Sequence, residues 1–556
     1  MSVQGQASSP SADGGWSPSP PVPCINMTMV RSRNRGTRMT FPLPPSGPSC
    51  CLSGAGHLEE PINERDDRKA PLKRSLHFSV RDSFRRFFSS APSAFQAPVD
   101  QSAHSTGGDG KNSWARPASP FGLPEDGDIN ARSSAAEDDC ATLNWYVQYS
   151  SVITSPTRGI PMSTTTTTAP TASELIARAE KLVPLLRERA SAAENLRRQP
   201  EETIEDFSSA GFFTAMVPAE HGGSALGLSE FADLVRVLSR GDASAGWIAA
   251  FLISHSTLLY RYGAQAQGEF FADKPYGLTV AAAGPPGAAA PVEGGYTVSG
   301  TWRFGSGVLH AEWAALSAMS PDGPLSVVVP VSETEIVDTW HVPGMKATGS
   351  NDIKVEGLFV PRHRTVSFPV YSSEHNEGAA LTEYPLIGYP MNRTLNLIHS
   401  AVAIGTADAA LELFAAGVGK RVRMQTRQKQ IDEPITRQTY GKAWDLVQVA
   451  GLQLHDALAH TDRVYGRDSA GPATLADRAR INLGLTGSGQ KAFQAVDLVV
   501  RAAGASIFRT GDPLERIVRD TQVMRNHAAV DFETMASVAG GALLGVGIGD
   551  YAEPMF

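Results

Sequence analysis

Three side chains in this sequence have the type and setting to move a proton or hold a polarised atom. His527 stands in Met524-Arg-Asn-His-Ala-Ala529, and His255 in Ile253-Ser-His-Ser-Thr257, within a predicted helix. An imidazole in apolar surroundings can accept or donate a proton near neutral pH. Ser306 lies between Gly305 and Gly307, and its hydroxyl can both donate and accept a hydrogen bond. Each has a plainer explanation when taken alone. An isolated histidine on an apolar helix is more often a hydrogen-bonded core or surface residue, and a serine between glycines is usually a turn residue. Nearby groups suit a flat ligand with a polar edge. Trp302 and Phe304 offer an apolar wall or plain strand core, and residues 344–351 offer backbone N–H groups with the hydroxyls of Thr348 and Ser350, or simply a loop between strands. Arg427 suits an anion, and equally a solvated surface position. No Cys-x-x-Cys pairs with a histidine cluster, so no metal site is expected. No Gly-x-Gly-x-x-Gly follows a strand, so no nicotinamide-binding domain is expected within the chain.

The elements that must position these residues follow from periodicity. Residues 173–198 read as an amphipathic helix with a cap at Ser173 and a kink at Pro184. Further apolar-periodic helices are predicted over 201–210, 229–239 and 243–262, separated by glycine-rich turns. Near Gly277 the period changes. Tyr296, Val298, Trp302, Phe304 and Ser306 fall on one face of a strand, with Thr297, Ser299, Thr301 and Arg303 on the other. Strands are also expected over 326–331 and 352–360, the latter with a bulge at Gly357. Beyond Asn392 the pattern is helical again, with Trp444, Val447, Gly451, Leu454 and Leu458 at 3-4-3-4 spacing. Four long segments near 392–420, 435–466, 473–503 and 513–547 suit a four-helix bundle.

Composition separates the first part of the chain from the rest. Residues 1–161 hold 18 of the 38 prolines and all four cysteines (Cys24, Cys50, Cys51 and Cys140), with no sustained apolar period. This part reads as a disordered or spurious N-terminal extension, with Met162 as the expected start and a transit peptide as the weaker reading. Its 16 Lys/Arg and 15 Asp/Glu nearly cancel, so of the 49 basic and 57 acidic residues in the chain 33 and 42 remain for residues 162–556, a balance of -9. No positive field favours nucleic acid. No uninterrupted run of about 18 apolar residues occurs, so no membrane span is expected. The thiol-free remainder suits a cytoplasmic protein. The expected domains are 162–276 (N-terminal helical), 277–370 (middle β) and 371–556 (C-terminal helical bundle), making the fold mainly α with a central β domain.

That order resembles the acyl-CoA dehydrogenase fold. Phe207-Ser-Ser-Ala-Gly-Phe-Phe-Thr-Ala-Met-Val-Pro-Ala-Glu-His-Gly-Gly223 is similar to its opening motif, and Gly295-Tyr-x-Val-x-Gly-x-Trp302 to the start of its β domain. Three motifs resemble one branch, the two-component flavin-dependent monooxygenases that include hydroxyphenylacetate and phenolic steroid hydroxylases. They are Trp302-Arg-Phe-Gly-Ser-Gly307, Asp338-Thr-Trp-His-Val-Pro-Gly-Met-Lys-Ala-Thr-Gly-Ser-Asn-Asp352 and Arg519-Asp-Thr-Gln-Val-Met-Arg-Asn-His-Ala-Ala529. The resemblance implies an oxygenase component that takes reduced FMN or FAD from a separate NAD(P)H-dependent flavin reductase. It implies O2 as co-substrate, and hydroxylation of a small aromatic or polycyclic substrate through a C4a-hydroperoxyflavin. It also implies a homotetramer.

By the same resemblance His527, Ser306 and His255 are catalytic, with Ser306 hydrogen-bonded to flavin N5 and His255 lining the substrate pocket. Trp302, Phe304, Thr348, Ser350 and Arg427 join Ser306 as flavin contacts, and the 372–389 loop shapes the substrate pocket. The alternatives are an FAD-dependent acyl-CoA dehydrogenase or oxidase, which needs a carboxylate base that the stretch around His527 lacks, and a flavin-binding protein without turnover.

Overall fold

The computed structural model describes residues 169–551 and Phe556. The readings of residues 1–161 and of Met162 lie outside the described residues. The described residues open with five α-helices, α1 (Ala172–Leu196), α2 (Glu201–Ser209), α3 (Leu228–Gly241), α4 (Ala243–Leu259) and α5 (Ala264–Phe270). The cap of α1 is Thr171 rather than Ser173. Its hydroxyl accepts from the Glu174 N–H, while the Glu174 carboxylate accepts from the Thr171 N–H at 2.8 Å, a reciprocal capping box. The helix runs on through Pro184. Sixteen of the 17 residues of α4 are buried, which is why its sequence is apolar all round rather than on one stripe.

Seven strands follow: β1 (Thr279–Val292), β2 (Gly295–Gly305), β3 (Trp313–Ser320), β4 (Gly323–Pro330), β5 (Glu335–Val337), β6 (Asn351–Pro361) and β7 (Thr365–Ser367). They form one sheet in the order β5-β6-β2-β1-β3-β4-β7, with β1 and β3 parallel and the other pairs antiparallel. The bulge at Gly357 is present: its φ is +63°, and the β2–β6 register shifts between the Val298–Leu358 and Gly300–Val355 pairs. The single face expected for Trp302 and Phe304 is not. Trp302 is fully buried and its indole N–H donates to the Ser317 carbonyl at 2.7 Å. Phe304 takes a φ of +63° where the register shifts again, and that twist turns it outward to 51% exposure.

The remaining helices are α6 (Phe368–Ser372), α7 (Met391–Leu395), α8 (Leu397–Val418), α9 (Pro434–Tyr465), α10 (Leu475–Ala503), α11 (Pro513–Met524) and α12 (Phe532–Leu543). The fourth bundle segment is therefore two helices, and His527 sits in the break between them. The seam of α9 runs through Ala443, Val447, Ala450, Leu454 and Leu458; Trp444 is one residue off it and exposed. By length and composition the span Met391–Val418 is apolar enough to cross a bilayer. In the fold, 16 of the 22 residues of α8 are buried as the central core helix, packed on α3, α4, α9 and α10. Its approach to α3 is close enough that a Cβ at Gly405 would lie 2.2 Å from the Arg236 carbonyl oxygen, so only glycine fits there.

Candidate active site

One face of α4 carries Trp247, Phe251 and His255, four residues apart and so stacked one turn above another. Two further imidazoles come from the bundle. His399, one turn into α8, lies edge-on to Trp247 (ring centroids 5.0 Å) and to Phe251 (5.8 Å). His527 stacks on His399, with centroids 4.1 Å apart and planes at 24°, and lies edge-on to Trp247 at 5.6 Å. Phe251 in turn touches His255 at 4.7 Å. The structure thus brings His255 and His527 into one aromatic box, together with His399, which sequence reasoning missed. Its signal was a single imidazole, followed by Ser400, in the mainly apolar 397–404 run, and nothing in that run told it from a bonded core histidine.

The two hydrogen bonds of these imidazoles fix opposite tautomers. His255 Nδ1 is 3.1 Å from the Thr279 carbonyl oxygen, which can only accept, so Nδ1 carries the hydrogen and Nε2 keeps its lone pair. His527 Nδ1 accepts from the Ala529 N–H at 3.2 Å, so in the neutral ring the hydrogen is on Nε2. Burial lowers the pKa of His255 to about 4. Desolvation lowers that of His527 to about 4 as well. His527 nevertheless keeps accessible surface, and water at that open face counters part of the shift. For His399, burial and then the neighbouring His527 hold the pKa well below the ordinary imidazole value.

Ser306 joins the box through Trp247, whose indole N–H donates to its Oγ at 3.3 Å. Beyond it runs a chain of hydroxyls: Ser306 to Ser350 at 2.8 Å, Ser350 to Thr348 at 2.7 Å, and Thr348 to the Met345 carbonyl at 2.8 Å. The end of the chain sets its direction. Thr348 has one hydrogen, and if it goes to the carbonyl, Ser350 donates to Thr348 and Ser306 donates to Ser350. Ser306 is then left with one spare lone pair and no spare hydrogen. Phe304, two residues before Ser306, stands edge-on to Trp340 at 6.2 Å. Trp302, by contrast, is enclosed in the sheet core and presents no face to a ligand, which corrects the expectation of a flavin contact there. Arg427 is exposed at φ +56° in the 421–430 turn, where Val422 pairs with Lys429, on a different element from the cluster.

The loop 343–350 is fastened from two sides. Asp520 of α11 accepts the Met345 N–H at 2.5 Å, and Arg519 donates to the Pro343 carbonyl at 2.7 Å. Gln199, after α1, donates to the Ala347 carbonyl at 3.2 Å. Gly344 lets α11 come this near, since a Cβ there would lie 2.1 Å from the Arg519 carbonyl oxygen. Burial, then the neighbouring Asp242, pushes the Asp520 pKa up to about 7, and burial pushes Asp242 up to about 6. The 372–389 loop has its own fastener. The buried Arg261, two residues past α4, donates to the carbonyls of Tyr371, Ser373, Ile387 and Tyr389 at 2.6–2.9 Å. Asp520 and Arg261 were both legible as residues, but their backbone partners were not.

Comparison with known proteins agrees with this geometry. Residues 176–274 match the family described as acyl-CoA dehydrogenase, N-terminal domain, and residues 397–532 match acyl-CoA dehydrogenase, C-terminal domain. The chain is 32% identical over 389 residues to the flavin-dependent monooxygenase, oxygenase subunit HsaA of Mycobacterium tuberculosis, covering 68% of this chain and 97% of that protein. The crystal structure of 3-HSA hydroxylase from Rhodococcus sp. superposes with a TM-score of 0.64 at 29% identity, covering 69% of this chain and 99% of the other. XiaF from Streptomyces sp., solved with FADH2 and glycerol, gives a TM-score of 0.64 at 25% identity, covering 68% and 96%. The chain belongs to the two-component flavin-dependent monooxygenases built on the acyl-CoA dehydrogenase fold, as an oxygenase component that uses reduced flavin and O2.

Proposed function

We propose that the aromatic box hydroxylates a small phenolic substrate, with His255 accepting from the phenol hydroxyl and His527 donating to the oxygen that leaves. The observation that carries this is the pair of opposed tautomers: Nδ1 of His255 on a carbonyl and Nδ1 of His527 on an N–H. The groups around Ser306 fit a reduced flavin. Its spare lone pair suits the N–H that the reduced ring has and the oxidised ring lacks, and the exposed Phe304 beside Trp340 suits a flat apolar face. The flavin supplies the two electrons by which one atom of O2 enters the ring and the other leaves as water.

The chain's own groups handle the protons. A neutral His255 is a weak base against an ordinary phenol, so it holds the hydroxyl by a hydrogen bond. It takes the proton as the ring, gaining oxygen, becomes electron-poor and its hydroxyl far more acidic. The Nε2–H of His527 meets negative charge on the departing oxygen. Trp247 and Phe251 wall off His255 from water and border His527 on one side, leaving its other face open. We assign Thr348 and Ser350 to holding Ser306, and Arg427 to flavin phosphate on the family resemblance alone.

A separate reductase supplies the flavin; we propose that it is NAD(P)H-dependent. The exposed Ile435, Trp444 and Leu452 of α9 support a homotetramer. A cytoplasmic location, away from membranes and nucleic acid, is part of the same proposal. The test is oxygen accounting on His527→Leu and His255→Leu. We expect hydroxylation to fall about 100-fold or more in His527→Leu, with most O2 recovered as hydrogen peroxide, and a raised KM for the phenol in His255→Leu. Full hydroxylation with unchanged peroxide release in both variants would exclude the assignment.

A further inference from the structure

His399 is 5% exposed, and apart from a weak approach to the Asn396 backbone its ring nitrogens make no well-formed hydrogen bond. A histidine that merely fills a core is normally bonded through at least one nitrogen. This one also cannot swing to find a partner: its face is stacked on His527 and its edges meet Trp247 and Phe251. A neutral imidazole offers one N–H and one lone pair, so its complement is a group that donates or accepts, such as a hydroxyl. Phe251 touches both imidazoles, 4.7 Å from His255 and 5.8 Å from His399, and is only partly buried. An aromatic ring resting on Phe251 therefore has both imidazoles as neighbours.

We infer that His399 recognises a second oxygen substituent of the substrate, so that the preferred substrate class is an aromatic ring with oxygen on two separate carbons, one held by His255 and the other by His399. This rests on the reading of the box as a phenol pocket. No electron transfer is involved; the inference concerns binding alone, and His399 selects among rings rather than reacting with them. Water between His399 and a singly substituted ring is the competing occupant, and it predicts no preference for the second oxygen.

The experiment is calorimetric titration of the flavin-free full-length protein with phenol and with resorcinol. The wild type should bind resorcinol about tenfold more tightly than phenol, as one added hydrogen bond to a buried unpaired group would give. His399→Phe keeps the stacked ring and removes both nitrogens, and the ratio should fall to about 1. His399→Gln restores a donor and an acceptor, and should recover part of it even if the phenylalanine variant folds poorly. An unchanged ratio in His399→Phe, a ratio of about 1 in the wild type, or an equal loss of both ligands in His399→Gln overturns the assignment. If both rings bind in a His255-dependent way without preference, only His399 loses its role. If the wild type binds neither ring, the phenol pocket itself fails.

Discussion

Around residues 343–350 nearly every polar atom is tied down, whereas the imidazoles a few ångströms away are almost bare. Pro343, Met345 and Ala347 are bonded by Arg519, Asp520 and Gln199, and Arg519 is held in turn by Glu194 and Glu515. In the box, three imidazoles share two well-formed hydrogen bonds, and the five ring contacts that hold them are aromatic. The contrast separates two tasks. A cradle for a cofactor that must diffuse in and out gains from a preformed shape, while a reacting pocket keeps its polar capacity for the ligand.

Breaking the cradle should cost the most. Asp520→Ala leaves the Met345 N–H buried and unpaired, and we expect a loss of about 2–3 kcal/mol in unfolding free energy, with weaker retention of reduced flavin. Urea denaturation of the full chain checks the first and a reduced-flavin titration the second. Asp520→Asn keeps an acceptor oxygen and should lose far less. Equal losses in the two variants would mean that Met345 is held by something other than this bond.

The hydroxyl chain joins the two regions, and its direction gives a graded test. Ser306→Ala removes the acceptor itself, so hydrogen peroxide released per reduced flavin should rise about fivefold, the worth of one hydrogen bond of ~1 kcal/mol. Ser350→Ala leaves that hydroxyl in place but frees it to rotate, and leakage should rise by less. A larger effect at Ser350 than at Ser306 would reverse the direction assigned to the chain.

How much of this could be read from the residues depends on which interactions local pattern reports. Element order, the Gly357 bulge and the placement of His255, Ser306 and His527 follow from periodicity and motif, because these depend on neighbours along the chain. Trp302 and Phe304 share a parity, and strict alternation puts them on one face; a single residue at φ +63° undoes that, and parity does not encode it. His399 and Asp520 acquire meaning only from partners more than a hundred residues distant, His527 and Met345. Trp444 shows the same limit, since a heptad-like spacing fixes a seam only to within one residue.

The smallest effect separates the two regions by pH. Burial raises the Asp520 pKa from 3.8 to about 7, so the folded state binds a proton the unfolded state does not. Its stabilising contribution is whole below the unfolded value and is lost as pH rises through about 7. The imidazoles act in the opposite sense. Burial lowers their pKa values below the ordinary imidazole value of about 6.5, so the unfolded state binds the extra protons, and stability is gained as pH rises towards that value. Between pH 6 and pH 8 the two regions therefore oppose each other, and the wild-type profile should be flatter than either alone. Asp520→Asn removes only the falling limb while keeping the bond to Met345. Its unfolding free energy should climb over that interval more steeply than the wild type's, by about 1 kcal/mol. Parallel profiles would show that Asp520 is already ionised at pH 6, and that the cradle holds a carboxylate rather than a carboxylic acid.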